Sequence, residues 1–427
     1  MRHWLTVGLA LSLAVLPLSQ ADVSDLPQAQ DGVSAPYGQL APLLLDNRRR
    51  EGLNHIFAAD ATPIGNRTPL VLLPGRAQEY QQNAWWKKFR TMSEKQPVFQ
   101  EKYKLYIFLY DSTQYLDDQA AAFRKELILR IPQTQKPLVL VSYSLGGMIA
   151  REVLRDPAIL ARVHTLFALA VPFHGSPIFD PDWFEHFLQP RNHSPVRRLE
   201  DRLIYRFYLY TKPNLMKGLR WNNFDGSKPQ LVRPKQGDLP PCFVSDLSMS
   251  EPSEVIQLKS KMIVYASYME NRHTMILPER PPRLTTARIP KEIIGSVFPL
   301  YALSVHSVLE HMNYMLSNLP TFTPLHPAGK NTHLYRYNDG VVPLSSALYL
   351  PPRKAPYSEG LPDLLRLANV SQMRVFRNLD HIEIGQYARQ PDNIHAQDIL
   401  HPDDGVRTPN HWLFHDLARI QTQLAAP

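Results

Sequence analysis

At 427 residues, 44% of them hydrophobic and 20% charged, the chain has the make-up of a folded protein, which excludes disorder and low complexity. Proline outnumbers glycine 39 to 18, which suits loops fixed within a fold better than a flexible linker. A single cysteine, Cys242, excludes an intramolecular disulfide and any multi-cysteine metal site, and a formal charge of +8 points to an anionic partner.

Met1-Arg2-His3 is a basic start, followed by an apolar run from Trp4 to Leu18 and then Ser19-Gln20-Ala21. Small residues at the two positions a signal peptidase reads predict a signal peptide, residues 1–21, cleaved after Ala21. The run is 15 residues, shorter than the roughly 20 of a spanning helix. The mature protein is therefore expected to be secreted or periplasmic, with Cys242 an unpaired thiol.

A strand-then-helix rhythm follows. Pro69 to Leu73 is a continuous apolar run ending in Pro74-Gly75, and residues 82–95 look helical, with Trp85, Trp86 and Phe89 on one side. Lys104 to Tyr110 is a second strand, and Leu116 to Ile131 a helix with Ala120, Phe123 and Leu127 at helical spacing. Pro137 to Val141 is a third strand, Leu145 to Leu154 a helix, and Val163 to Val171 a fourth strand. Strands apolar throughout and separated by helices predict a mostly parallel sheet covered on both faces. The rhythm resumes at Thr332 to Tyr337 and Met373 to Phe376, and an amphipathic helix, His411 to Leu424, ends the chain. The expected organisation is a core in two parts, 22–173 and 332–427, interrupted by an insertion, 174–331.

The chemistry gathers at the ends of these strands. After the third comes Ser142-Tyr143-Ser144-Leu145-Gly146-Gly147, then a helix. A serine on a sharp strand-to-helix turn exposes its hydroxyl above the sheet edge, and the residues two before and two after it must be small. Ser142 and Gly146 are small, and the helix N-terminus favours negative charge at the same spot. A serine nucleophile needs a histidine oriented by a carboxylate. Asp339 lies in Asn338-Asp339-Gly340-Val341-Val342-Pro343, and His381 follows Arg377-Asn378-Leu379-Asp380. Serine 144, acid 339 and histidine 381 each fall just past a predicted strand, on the side where parallel sheets carry their sites.

Rivals exist for each role. Asp339 has the surroundings of a plain turn aspartate, and Asp380, Asp403 and Asp404 are alternative acids. His174, His401 and His411 are alternative histidines, the first after the wrong strand and the other two beyond the last one. Neither a phosphate loop nor a dinucleotide fingerprint is present, and no transition-metal site is suggested.

On these motifs the sequence resembles the α/β-hydrolase superfamily, in particular its lipase and esterase branch, over roughly 65–175 and 330–425. Ser142 to Gly147 looks like that family's nucleophile elbow, and Val171-Pro172-Phe173-His174-Gly175-Ser176-Pro177 is similar to a strand-end segment of many lipases. Asn338 to Pro343 looks like the acid loop, and Asp380-His381-Ile382-Glu383 like the histidine loop. The resemblance implies a catalytic triad of Ser144, Asp339 and His381, and oxyanion donors at the amide of Leu145 and at Arg76 or Ala77. Two departures stand out: Ser142 replaces the first elbow glycine, and Pro74-Gly75 replaces the usual His-Gly. Some relatives hold calcium near the histidine loop. Glu383 could serve here, but no second ligand stands at a recognisable spacing, a solvated Glu is the expectation, and neither metal nor cofactor is expected.

The insertion is where substrate choice is expected, as lid and acyl groove. Residues 191–235 hold 11 Lys and Arg against three acids, an excess equal to the whole chain's +8. Ser194-Pro195 is a helix start, with Val196, Leu199, Leu203, Phe207 and Tyr210 on one face and Arg198, Arg202 and Arg206 on another. Tyr205, Tyr208, Trp221 and Phe224 add aromatics. Such a helix suits an anionic membrane surface, or equally a lid packed on the core. Ile293 to Leu309 lacks Asp, Glu, Lys and Arg and suits an acyl pocket or plain core. The expectation is an exported serine hydrolase of lipid or long-chain esters, with no nucleic-acid partner. An acyltransferase using the same acyl-enzyme and a catalytically silent binding protein are the alternatives.

Overall fold

In chain order the elements of the computed structural model are β1 (His55–Ala58), β2 (Thr68–Leu73), α1 (Trp85–Glu94), α2 (Pro97–Lys102), β3 (Tyr103–Leu109), α3 (Leu116–Arg130), β4 (Leu138–Tyr143), α4 (Leu145–Val153), α5 (Pro157–Arg162), β5 (Val163–Leu169), β6 (Lys228–Pro229), α6 (Ser253–Ser260), β7 (Met262–Tyr268), β8 (Thr321–Phe322), α7 (Leu344–Ala347), β9 (Met373–Arg377), α8 (Glu383–Gln386) and α9 (Pro409–Ala425). The structure describes residues 53–76, 85–112, 114–131, 136–179, 218–219, 228–229, 253–269, 309, 312–313, 316–317, 321–322, 337–351, 371–386, 398–401 and 408–425. The signal peptide, Ala77, Cys242, almost all of the basic block 191–235, residues 293–308 and residues 332–336 lie outside them.

Seven strands form one sheet in the order β1-β3-β2-β4-β5-β7-β9, with β1 antiparallel to β3 and every other pairing parallel. Strands β2, β3, β4 and β7 are buried at every position. Their alternate residues feed two cores: Val71, Leu73 and Leu140 pack with α3 and α4, whereas Leu70, Leu72 and Val139 pack with Trp85, Trp86, Phe89 and α9. That is why these strands read as unbroken apolar runs instead of alternating ones. At roughly 25 cal/mol per Å² of apolar surface removed from water, such double coverage dominates the stability of the fold.

One strand of the sheet lies inside the stretch read from sequence as an insertion. Met262–Tyr268 sits between β5 and β9, pairing Leu166 with Met262 on one side and Tyr268 with Arg377 on the other. The signal was present as Ser253–Ser260, a helix, followed by Met-Ile-Val-Tyr-Ala-Ser-Tyr. The core therefore resumes before residue 332, because β5 and β9 need a strand between them to close the ladder. Tyr337, the described end of the predicted strand Thr332 to Tyr337, is a bend next to an isolated bridge between Asn338 and Pro343.

The last helix is tied to the far strands by a buried polar cluster. Asp416 of α9 accepts hydrogen bonds from the Tyr265 hydroxyl at 2.6 Å and from the Arg374 guanidinium at 2.9 Å. Strands β7 and β9 are thereby both tied to α9.

Candidate active site

The turn after β4 is built by close packing. Ser144 takes φ 51° and ψ −122°, a left-handed conformation that L-residues adopt only under tertiary constraint. Its amide donates to the Leu169 carbonyl of β5 at 2.9 Å, and its carbonyl accepts from Gly147 at 3.0 Å. A Cβ at Gly146 would stand 2.2 Å from the Leu73 carbonyl oxygen, so the helix approaches β2 closely enough to demand glycine there. Ser142 is accommodated differently: fully buried, its hydroxyl donates to the Phe167 carbonyl at 2.9 Å. Ser144 itself is half-buried, with buried residues on both sides of it in the chain.

His381 Nε2 lies 2.9 Å from Ser144 Oγ, and its Nδ1 lies 2.8 Å from Asp339 Oδ2. The carboxylate fixes the tautomer: Nδ1–H donates to Asp339, leaving Nε2 free to accept the serine hydroxyl. Asp339 is 1% exposed, and its other oxygen accepts the amides of Val341 at 2.9 Å and Val342 at 2.7 Å. The acid is thus in a turn, as its composition suggests, and aimed at the imidazole as well. Gly340, at φ 92°, could carry no side chain, since a Cβ would meet the Leu309 carbonyl at 2.5 Å. Asn338 anchors the loop to the sheet: its carbonyl accepts the Met269 amide just past β7 at 3.0 Å and the Asn313 side-chain amide at 2.9 Å. The strand end that positions the acid is therefore that of β7.

The histidine loop is a capping box. Asp380 Oδ1 accepts the amides of Ile382 at 2.9 Å and Glu383 at 2.7 Å, and Glu383 Oε2 accepts the Asp380 amide at 3.0 Å. Asp380 thus bonds the backbone of its own loop, whereas it is Asp339 that meets His381 Nδ1. Among the described residues no group of three or more His, Cys, Asp or Glu could hold a metal ion. The His381 amide donates to the Asp339 carbonyl at 2.9 Å, joining the two loops by main chain as well as side chain.

The rival histidines stand elsewhere. His174 is buried, with Nε2–H donating to the Leu350 carbonyl at 2.8 Å, and burial pushes its pKa down from 6.5 to about 3. His401 pairs with Asp398 at 2.7 Å and faces Trp412, and His411 is exposed on α9. Asp403 and Asp404 lie outside the described residues.

Of the expected oxyanion donors, Leu145 opens α4 directly after the serine. Its amide belongs to a helix N-terminus, where the backbone favours developing negative charge. On the other side, the Pro74 carbonyl accepts the Tyr110 hydroxyl at 2.7 Å, which leaves the turn after β2 fixed. A Cβ at Gly75 would lie 2.8 Å from the Tyr143 ring and 3.2 Å from the Ser144 Cβ. Glycine there brings the chain that leads into Arg76 against the serine.

A seven-stranded, mostly parallel sheet with a serine on the strained turn after its central strand is the α/β-hydrolase fold. Neither a protein-family model nor a curated protein matches the chain. Among solved structures, a Bacillus licheniformis lipase in its mature form is similar over 78% of this chain and 93% of its own, with 15% identity and a TM-score of 0.40. A metagenomic carboxyl esterase is similar over 98% of this chain and 99% of its own, with 14% identity and a TM-score of 0.39. The carboxylesterase CesB of Bacillus subtilis is similar over 50% of this chain and 69% of its own, with 15% identity and a TM-score of 0.25.

Proposed function

We propose that the protein is a serine hydrolase of carboxylic esters, acting through Ser144, His381 and Asp339. The observation that carries this reading is the unbroken relay from Asp339 to His381 at 2.8 Å and from His381 to Ser144 at 2.9 Å. Ser144 Oγ attacks the ester carbonyl carbon while His381 Nε2 takes its proton. The tetrahedral oxyanion is held by the Leu145 amide and a second amide at Arg76 or Ala77, each donor worth about 3 kcal/mol in the transition state. Collapse expels the alcohol, which receives the proton from His381 and leaves an acyl-serine. Water, deprotonated by the same nitrogen, releases the acid and restores Ser144. Asp339 keeps the imidazole in one tautomer and stabilises its cation.

The substrate is an acyl lipid or long-chain ester, a reading supported by the length and apolar content of the residues between β5 and β9. Export follows from the leader ending at Ala21, and contact with an anionic membrane surface from the basic block 191–235. No helix among the described residues is long and apolar enough to cross a membrane. Hydrolysis of an ester series of rising chain length, wild type beside Ser144→Ala, tests the whole reading. Turnover that rises with chain length and vanishes in the variant supports it, and turnover unchanged in Ser144→Ala sinks it. An acceptor alcohol in the assay separates hydrolysis from acyl transfer by product.

A further inference from the structure

Tyr143, the residue before the nucleophile, touches both the histidine and the turn after β2. Its hydroxyl donates to the carbonyl of His381 at 2.6 Å, and its ring stacks on the imidazole with centroids 5.4 Å apart and planes 29° from parallel. Two glycines grip that ring, one from the turn after β2 and one from α8. A Cβ at Gly75 would stand 2.8 Å from its Cδ1, and a Cβ at Gly385 would stand 2.9 Å from its Cε2 and Cζ. Gly75 belongs to the turn leading to the second oxyanion donor, and Gly385 to α8, which begins two residues after His381. The ring of Trp85 closes a further side, 5.9 Å away.

We propose that Tyr143 is the positioning residue of the base, a role that rests on the triad reading above. Ser144 and His381 are separated by 237 residues of sequence and come from different elements, so nothing local fixes their separation. Tyr143 is covalently joined to the serine and hydrogen-bonded to the backbone of the histidine, and so ties the two directly. The His381 main chain is then held at both ends: its amide by Asp339 and its carbonyl by Tyr143. Burial, with the Asp339 and Asp380 carboxylates nearby, pushes the phenol well above its ordinary range, so it stays a donor wherever the enzyme works. Gly75 and Gly385 are explained by the same device, since a side chain at either would displace the ring and the base with it.

Tyr143→Phe keeps the ring and stack and removes the hydrogen bond alone. Misplacing a base by about 1 Å costs up to about a hundredfold in rate, so kcat and the rate constant of fluorophosphonate labelling are expected to fall about tenfold to a hundredfold. KM for a short ester stays within about twofold and the melting temperature within a few degrees. Gly385→Ala, which shifts the ring and leaves its hydroxyl, is expected to slow labelling comparably and serves if Tyr143→Phe folds poorly. A folded variant with wild-type labelling and kcat, or a loss appearing in KM alone, overturns the proposal. Ser144→Ala is run beside them. If it still labels, the triad reading has failed; if it is silent while Tyr143→Phe behaves as wild type, only the role of Tyr143 has failed.

Discussion

Among the described residues two Asp–His pairs have nearly the same geometry and different surroundings. Asp339 meets His381 at 2.8 Å and Asp398 meets His401 at 2.7 Å, with both aspartates buried. Each carboxylate also accepts two backbone amides, Val341 and Val342 in one case and Val375 and Leu400 in the other. The difference lies in the further neighbours of each imidazole. His381 turns Nε2 to a serine on a strained turn at the sheet's carboxyl edge, whereas His401 lies against the Trp412 ring, 5.0 Å between centroids. On the function proposed above, the serine placed by the sheet is what sets the first pair apart from the second.

The comparison can be broken by exchanging what each pair loses. Ser144→Ala and His381→Ala are expected to lower kcat about 10⁴- to 10⁶-fold in ester hydrolysis while the melting temperature moves little. Asp339→Asn leaves the geometry and removes the orienting charge, for an expected loss of about 10³- to 10⁴-fold in the same assay. If Asp398→Asn did the same, the two pairs would not differ as claimed.

The pattern should invert at the other pair. His401→Ala strips a buried carboxylate of its partner, so urea unfolding is expected to show a loss of about 2 kcal/mol, with kcat of the folded enzyme within about twofold. His174 sharpens the contrast between these sites because its Nε2 meets a backbone carbonyl, that of Leu350. Its folded pKa of about 3 lies below the unfolded 6.5, so between these pH values the unfolded chain binds the extra proton. Stability contributed this way is full above pH 6.5 and falls as pH drops towards 3, by on the order of 5 kcal/mol. Unfolding midpoints measured across that range should fall less steeply in His174→Gln, and an equal slope would count against a neutral buried His174.

Most of the sheet was legible because both its faces are covered. Five of the predicted strands, all parallel in the sheet, fall within two residues of their observed bounds. Met262–Tyr268 escaped because a single apolar run, remote from its neighbours in sequence, carries no sign of which strands it will join. Antiparallel β1, His55–Ala58, is too short to show a period. At the site, the serine, acid and histidine were legible by residue type and order. The reciprocal bonding of Asp380 and Glu383 was also written in the chain as Asp-x-x-Glu, a capping box open to recognition. Tyr143 was not legible, since an aromatic before the serine looks the same whether it packs passively or bridges to a loop far along the chain.

Local physics accounts for what the sequence determined alone: apolar runs long enough to be strands, and a small-residue pattern permitting a strained serine. The Gly75 and Gly146 contacts, the separation of Asp339–His381 from Asp398–His401, and the place of β7 were decided only by tertiary structure. Each of these depends on which backbones approach within about 3 Å across the sheet, and that is set by pairing between segments far apart in the chain.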